Sequence, residues 1–227
     1  MKDNYGVVYY SFGNKFPNDL ERSVASIRKH NEGIKIAWIT ETPNHPKKAL
    51  FDVVIKSVSK KRFGWHRRTE SLVLSPFDIT LHLDSDTVVN GDLTYGFEKA
   101  DKFGLAICHA PAYYSKQFFK TTSHDSITPI NDKQPVYNCG MFFYKKGELT
   151  GELFKEWSKY NDKCVTMQDQ CGFSNAVEGL GINPYVLTKS WNFRGGLHTE
   201  GHGPITIWHS HNNIPTNKAN NEGFFKI

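Results

Sequence analysis

The sequence predicts an α/β domain: a mostly parallel central sheet flanked by helices, with a smaller mixed sheet towards the C-terminal end. Three observations carry that prediction. Across roughly the first 90 residues, β-branched and aromatic runs alternate with segments of helical period. Alternation of this kind implies right-handed crossovers and parallel pairing, with the sheet covered on both faces. Across all 227 residues there is no internal repeat and no Gly/Ser- or Pro-rich linker, so one domain is expected over 1–227.

The elements follow in order. Residues 6–12, Gly-Val-Val-Tyr-Tyr-Ser-Phe, read as a buried strand closed by Gly13. A helix follows Pro17, because Leu20, Val24 and Ile27 recur at i, i+4 and i+7 while Arg22, Arg28 and Lys29 take other faces. Residues 34–39 and 51–58 are the next two strands. A short helix over 68–74 stops before Pro76. Residues 80–83, Thr-Leu-His-Leu, form a fourth strand that runs directly into Asp84. Further on, 104–110 and 137–144 read as strands, 148–160 and 170–180 as helices, and 185–187 and 205–208 as late strands. Residues 112–135 are polar and aromatic without periodicity, the expected signature of a functional loop or lid. The asparagine-rich segment 212–227 is expected to be a surface tail. In a sheet of this type ligands bind beyond the carboxyl ends of the strands, which singles out residues 11–15, 40–41 and 84–86.

Composition narrows the function. A 14% aromatic content argues against disorder. No apolar run approaches the ~20 residues of a membrane helix, and no secretory signal is visible, so a cytoplasmic protein is expected. The four cysteines, Cys108, Cys139, Cys164 and Cys171, form no Cys-x-x-Cys pair and read as buried free thiols. The net charge of +5 suits a polyanionic ligand such as a nucleotide but does not by itself indicate nucleic acid. A basic run, Lys56, Lys60, Lys61, Arg62, His66, Arg67 and Arg68, contains Phe63 and Trp65. It reads either as a solvated basic edge, as a stacking surface for nucleic acid, or as a source of one phosphate-binding guanidinium.

The strongest local signal is Leu83-Asp84-Ser85-Asp86-Thr87-Val88-Val89. Carboxylates at i and i+2 beyond an extended strand project to one side, and two such charges are unfavourable unless a cation shares them. Oxygen ligands of this kind suit Mg²⁺ or Mn²⁺. An Asp-rich turn that merely caps the next element is the plainer alternative. The motif also resembles the nucleophile motif of haloacid dehalogenase-like phosphatases, but there it lies on the first core strand, and here at least two βα units precede it.

The collinear order of the motifs resembles the GT-A fold glycosyltransferases, in particular the glycogenin and lipopolysaccharide galactosyltransferase group, over nearly all of residues 5–211. After Asp84-Ser85-Asp86 come Tyr137-Asn138-Cys139-Gly140-Met141, Asp169-Gln170, Trp191-Asn192-Phe193-Arg194 and Ile207-Trp208-His209-Ser210-His211. The cysteine at 139 stands where the family usually has serine, and the family's longer Gly and Lys-Pro-Trp continuation is absent. The resemblance implies a Rossmann-like nucleotide-binding half (about 1–90) and a sugar and acceptor half (about 91–211). It implies a nucleotide-diphosphate sugar donor, UDP-linked on the family's pattern, and a glycan, lipid or protein acceptor.

The resemblance also implies site residues. Asp84, Asp86 and a histidine would hold Mn²⁺ or Mg²⁺; His209 is favoured over His211 as that ligand. Tyr10, Ser11, Phe12, Thr40 and Ser85 would meet the nucleotide, Arg67 or preferably Arg68 the donor phosphate or sugar, and Lys218 the phosphate. Asn138, Gly140, Asp169 and Gln170 would line the sugar and acceptor side, with Asp169 and Gln170 as the catalytic pair. Asp169 also fits a helix N-cap. The Asp-Gln pair leans to retention of anomeric configuration. Two other readings stay open: a nucleotidyltransferase on a related fold, for which residues 11–15 make a poor phosphate loop, and a non-catalytic nucleotide-sugar binding module.

Overall fold

A computed structural model describes residues 4–14, 16–111, 114–194 and 204–209. In chain order the elements are β1 (Tyr5–Ser11), α1 (Leu20–His30), β2 (Lys35–Thr40), β3 (Val53–Lys56), α2 (Gly64–Leu72), β4 (Ile79–Leu83), β5 (Thr87–Val89), α3 (Thr94–Phe103), β6 (Leu105–His109), α4 (Ser115–Ser123), β7 (Tyr137–Lys145), α5 (Glu148–Lys163), α6 (Gln170–Gly179), β8 (Tyr185–Val186) and β9 (Ile207–His209). Seven strands form one sheet in the order β3-β2-β1-β4-β7-β6-β8, and β5 pairs with β9 in a second. In the main sheet only β7 runs against its neighbours.

Apolar side chains cover both faces of that sheet. On one face, Leu20, Val24 and Ile27 of α1 and Phe97 and Ala100 of α3 pack on Val7, Tyr9, Leu81 and Phe143. On the other, Leu72 of α2, Leu153, Phe154 and Trp157 of α5, and Phe173 and Val177 of α6 pack on Val8, Ile39 and Phe142. β7, third from one edge, is buried along its whole length except Lys145. Burial on both faces is why β1, β4 and β7 are continuous apolar runs rather than alternating ones. Gly6 is needed where Phe77 crosses β1, since a Cβ there would lie 2.5 Å from the Phe77 ring.

Several boundaries differ from the sequence reading. Helix α2 begins at Gly64, four residues earlier than expected, and β3 is confined to Val53–Lys56. Two helices were not legible. α3 has few apolar positions, but the Asp92 carboxylate accepts from the Thr94 backbone N–H at 2.8 Å and so satisfies a group at its start. The stretch expected as a loop contains α4, which buries Phe119 against Ile127, Val136, Cys164 and Cys171. All four cysteines are buried and free. Among the described residues no helix is long and apolar enough to cross a membrane.

Two irregularities aim side chains at the carboxyl end of the sheet. Ile107 faces Phe142 and His109 faces Tyr137, so two steps along β6 span five along β7. A bulge of this size turns the intervening segment, including Asn138 and Gly140, out of regular alternation. The Asn138 side-chain oxygen stabilises it by accepting from Gly140 N at 3.0 Å. The second is the β5–β9 pairing, which sets Thr87 opposite His209 and so brings residues far apart in sequence against the Asp84–Asp86 turn.

Candidate functional site

The Asp84–Asp86 turn is anchored from three sides. Asp84 N donates to Gly140 O at 2.8 Å, joining the turn to the β7 bulge. Thr87 Oγ1 donates to Asp84 O at 2.9 Å and is itself 3.0 Å from Ser23 Oγ, which lies 2.5 Å from the Tyr9 hydroxyl. Tyr9, Ser23 and Thr87 are fully buried, so this hydroxyl chain ties β1 and α1 to the turn. Burial and the neighbouring hydroxyls of Ser23 and Thr87 act oppositely on Tyr9; burial prevails and its phenol is pushed above the ordinary range.

The turn delivers two carboxylates to one imidazole. His209 Nε2 lies 3.4 Å from Asp86 Oδ1 and 3.8 Å from Asp84 Oδ2, and one ligand atom from each residue falls within 4.8 Å of the other two. Asp86 and His209 are almost fully buried, while Asp84 is partly open. Three converging oxygen and nitrogen ligands with one open side fit a divalent cation of the Mg²⁺ or Mn²⁺ kind. Gly140 makes room for the ring: a Cβ there would collide with His209 Cε1 and lie 2.9 Å from Asp84 Oδ2. On the ring's other edge, His209 Nδ1 is 2.7 Å from Asn192 Oδ1.

Arg68 joins this cluster to the next. Its Nε and Nη2 donate to the two oxygens of Asp169 at 2.5 and 2.8 Å, and its Nη1 donates to Asp84 Oδ1 at 2.9 Å. Nη1 also lies 3.3 Å from His82 Nε2. Burial alone would raise the Asp84 pKa, but Arg68, His82 and His209 hold it well below the usual carboxylate range. Burial drives the His82 imidazole towards its neutral form. The side chain of Asp169 makes no cap bond to α6, although the residue sits at its N-cap position. The carboxylate is committed to Arg68 instead.

Two cavities open beside this arrangement. One, of about 230 Å³, is lined by Tyr10, Ser11, Phe12, Pro17, Ser85 and Asp86. The other, of about 180 Å³, is lined by Asn138, Gly140, Gln168, Asp169, Gln170, Arg194 and His209. Trp65, Arg68 and Asp84 line both and form the wall between them. Gln170 Oε1 accepts from Cys139 N at 3.3 Å, which fixes the side chain against the β7 bulge.

Most residues expected from the sequence converge here. Thr40 is fully buried beneath the first cavity, where its hydroxyl accepts from Ser11 Oγ at 3.3 Å. Arg67 points elsewhere: it donates to Glu41 Oε1 at 2.5 Å, and Glu41 also accepts from Gly13 N. In the basic run Lys61 is paired to Asp162 at 2.5 Å, and Arg62 lies over the Phe63 ring. His211 and Lys218 lie outside the described residues. Sequence reasoning did not assign Trp65, Gln168, Arg194, His82 or Asn192 to the site. For Trp65 a signal existed, since it precedes Arg68 by three residues and so shares its helix face.

Comparison with known proteins places the architecture. No family model and no curated protein sequence matches the chain. Solved structures do. Galactosyltransferase LgtC, in complex with donor and acceptor sugar analogues, is 15% identical with a TM-score of 0.60, over 90% of this chain and 86% of LgtC. Mouse xyloside xylosyltransferase 1 in its apo form is 14% identical with a TM-score of 0.60, over 93% of this chain and 99% of the other. The glycosyltransferase GlyE of Streptococcus pneumoniae is 15% identical with a TM-score of 0.58, over 91% of this chain and 54% of GlyE. The chain has the fold of these enzymes, the GT-A type.

Proposed function

We propose that the protein is a metal-dependent glycosyltransferase that moves a sugar from a UDP-linked donor to an acceptor hydroxyl, with retention at the anomeric carbon. The observation that carries this reading is the convergence of Asp84, Asp86 and His209 where two cavities meet, Asp84 lining both, Asp86 the first and His209 the second. A donor laid across that junction would set its base and ribose near Tyr10, Ser11 and Phe12, and its sugar near Asn138, Asp169 and Gln170. A divalent cation held by the three ligands would neutralise the charge that builds on the departing diphosphate. Arg68 holds the Asp169 carboxylate in place on the sugar side, where it can accept a hydrogen bond from a sugar hydroxyl. Supporting the retaining sense is the Asp169-Gln170 pair, by its resemblance to the pair that opens a helix in the glycogenin and lipopolysaccharide galactosyltransferase group.

The test is UDP release from a panel of UDP-sugars with Mn²⁺, using the wild type and Asp86→Asn. The substitution keeps shape and removes the charge that would hold the cation. Release should fall by orders of magnitude in the variant while its melting temperature without ligand holds or rises, because repulsion with Asp84 is relieved. Wild-type binding of donors without any release would make the protein a binding module. A variant that keeps its specific activity would make the acidic turn a purely structural cap.

A further inference from the structure

We propose that Asn192 is a positioning residue that fixes the tautomer of His209, so that Nε2 presents its lone pair to the space beside Asp84 and Asp86. In neutral imidazole one nitrogen carries hydrogen and the other accepts, and the partner of one decides the role of both. His209 Nδ1 lies 2.7 Å from Asn192 Oδ1, an atom that can only accept, so Nδ1 carries the hydrogen. Nε2, the nitrogen facing the two carboxylates, is then the acceptor and the ligand atom.

The arrangement is built by the backbone. Asn192 follows a short 3₁₀ turn over Lys189–Trp191. Phe193 N then donates to Ile207 O at 3.0 Å, and His209 N donates to Phe193 O at 2.8 Å, so this segment lies alongside β9. The pairing sets the Asn192 amide at the His209 ring, and Asn192 is 1% exposed. Gly140 lies beside the ring, where any added Cβ would collide with His209 Cε1. Among the described residues Asn192 Nδ2, which is buried, has no hydrogen-bond partner. A polar group left in that state is costly, which is unexpected unless the oxygen end of the amide has a role of its own.

The metal part of the inference rests on the proposed function; the tautomer part does not. The test has two arms. In the first, long-range ¹H–¹⁵N NMR of the metal-free wild type, at a pH where the spectrum itself shows a neutral His209 ring, should show the hydrogen on Nδ1; hydrogen on Nε2 would overturn the inference. In the second, Mn²⁺ affinity is measured by EPR titration without donor. Loss of an outer-shell partner typically weakens metal binding 10–100-fold, so Asn192→Ala, where it folds, should bind that much more weakly. Asn192→Asp, which keeps an acceptor at the same place, should bind as tightly as wild type or more so. Equal affinity in wild type and Asn192→Ala, or an Asn192→Asp variant as weak as Asn192→Ala, would overturn it. Should Asn192→Ala not fold, the NMR arm and Asn192→Asp decide. A wild type that binds no Mn²⁺ would instead sink the proposed function, leaving the NMR arm to judge the tautomer.

Discussion

Gly140 shows how one missing side chain serves the whole site. The β7 bulge brings its Cα against the His209 ring, and Asp84 N reaches its carbonyl. Adding a methyl group therefore cannot be absorbed by a flexible tip; it must move an imidazole already held by Asn192 or shift the Asp84 turn. Gly140→Ala should destabilise the fold by about 1–3 kcal/mol, the usual cost of overpacking, and should weaken Mn²⁺ binding. Urea unfolding and metal titration of the same variant check both effects, and unchanged values in both would mean that the ring has room to give. At this scale the sequence was informative about chemistry and less so about purpose. Asp84, Asp86, Asp169, Gln170 and His209 could be picked out because carboxylates after a strand and the collinear motifs mark them. Gly140 could be picked out only by resemblance, as a residue lining the sugar side. Its steric role depends on a bulge that no local pattern announces. His82 and Asn192 went unassigned for the same reason: what they do depends on partners 14 and 17 residues away in sequence.

Between elements, Arg68 is the fastener. It stands on α2, bonds both oxygens of Asp169 at the start of α6, reaches Asp84 beyond β4, and lies over the Trp157 ring of α5 at 5.5 Å. Trp157 Nε1 in turn donates to Asp169 O at 2.8 Å. Removing the guanidinium leaves Asp169, with a side chain 2% exposed, as an uncompensated buried charge. Arg68→Met should therefore cost about 3–5 kcal/mol, and the double variant Arg68→Met/Asp169→Leu should recover a large part of that loss. Chemical denaturation across the double-mutant cycle measures the coupling; two single losses that simply add would mean the pair is not an energetic unit. The elements themselves were unequally legible. β1, α1, β4, β7, α5 and α6 have long apolar runs or clear helical period, and the sequence places each close to where it lies. α3 and α4 have short apolar faces mixed with Ser, Thr and Lys, so burial of Phe97 and Phe119 by tertiary neighbours decides them. The β5–β9 pair has three residues a side; the sequence reading places a strand over 205–208, but its partner, Thr87–Val89, is set by long-range pairing that no local pattern announces.

Across the whole molecule, both halves of the chain meet at one line. β1 to β4 supply the first cavity and the acidic turn, while β7, α6 and β9 supply the second cavity and the histidine. A ligand that spans the line should therefore stabilise the folded state as a unit, and a cation at Asp84, Asp86 and His209 should be what couples it to both halves. By mass action, a ligand at a hundred times its dissociation constant adds about 2.7 kcal/mol. For a chain of this size each kcal/mol raises the melting temperature by about 2–4 °C, so saturating UDP with Mn²⁺ should give a shift of roughly 5–11 °C. With EDTA the diphosphate loses its bridge to two carboxylates that would otherwise repel it, and Arg68 is already engaged by Asp84 and Asp169. The UDP shift should then collapse towards that of buffer alone. In Asp86→Asn it should be small with or without Mn²⁺. Differential scanning fluorimetry over the four combinations of UDP and Mn²⁺ makes the measurement. Equal UDP shifts in Mn²⁺ and in EDTA would show that the nucleotide is held by protein groups alone, and the cation would then have no part in joining the two halves.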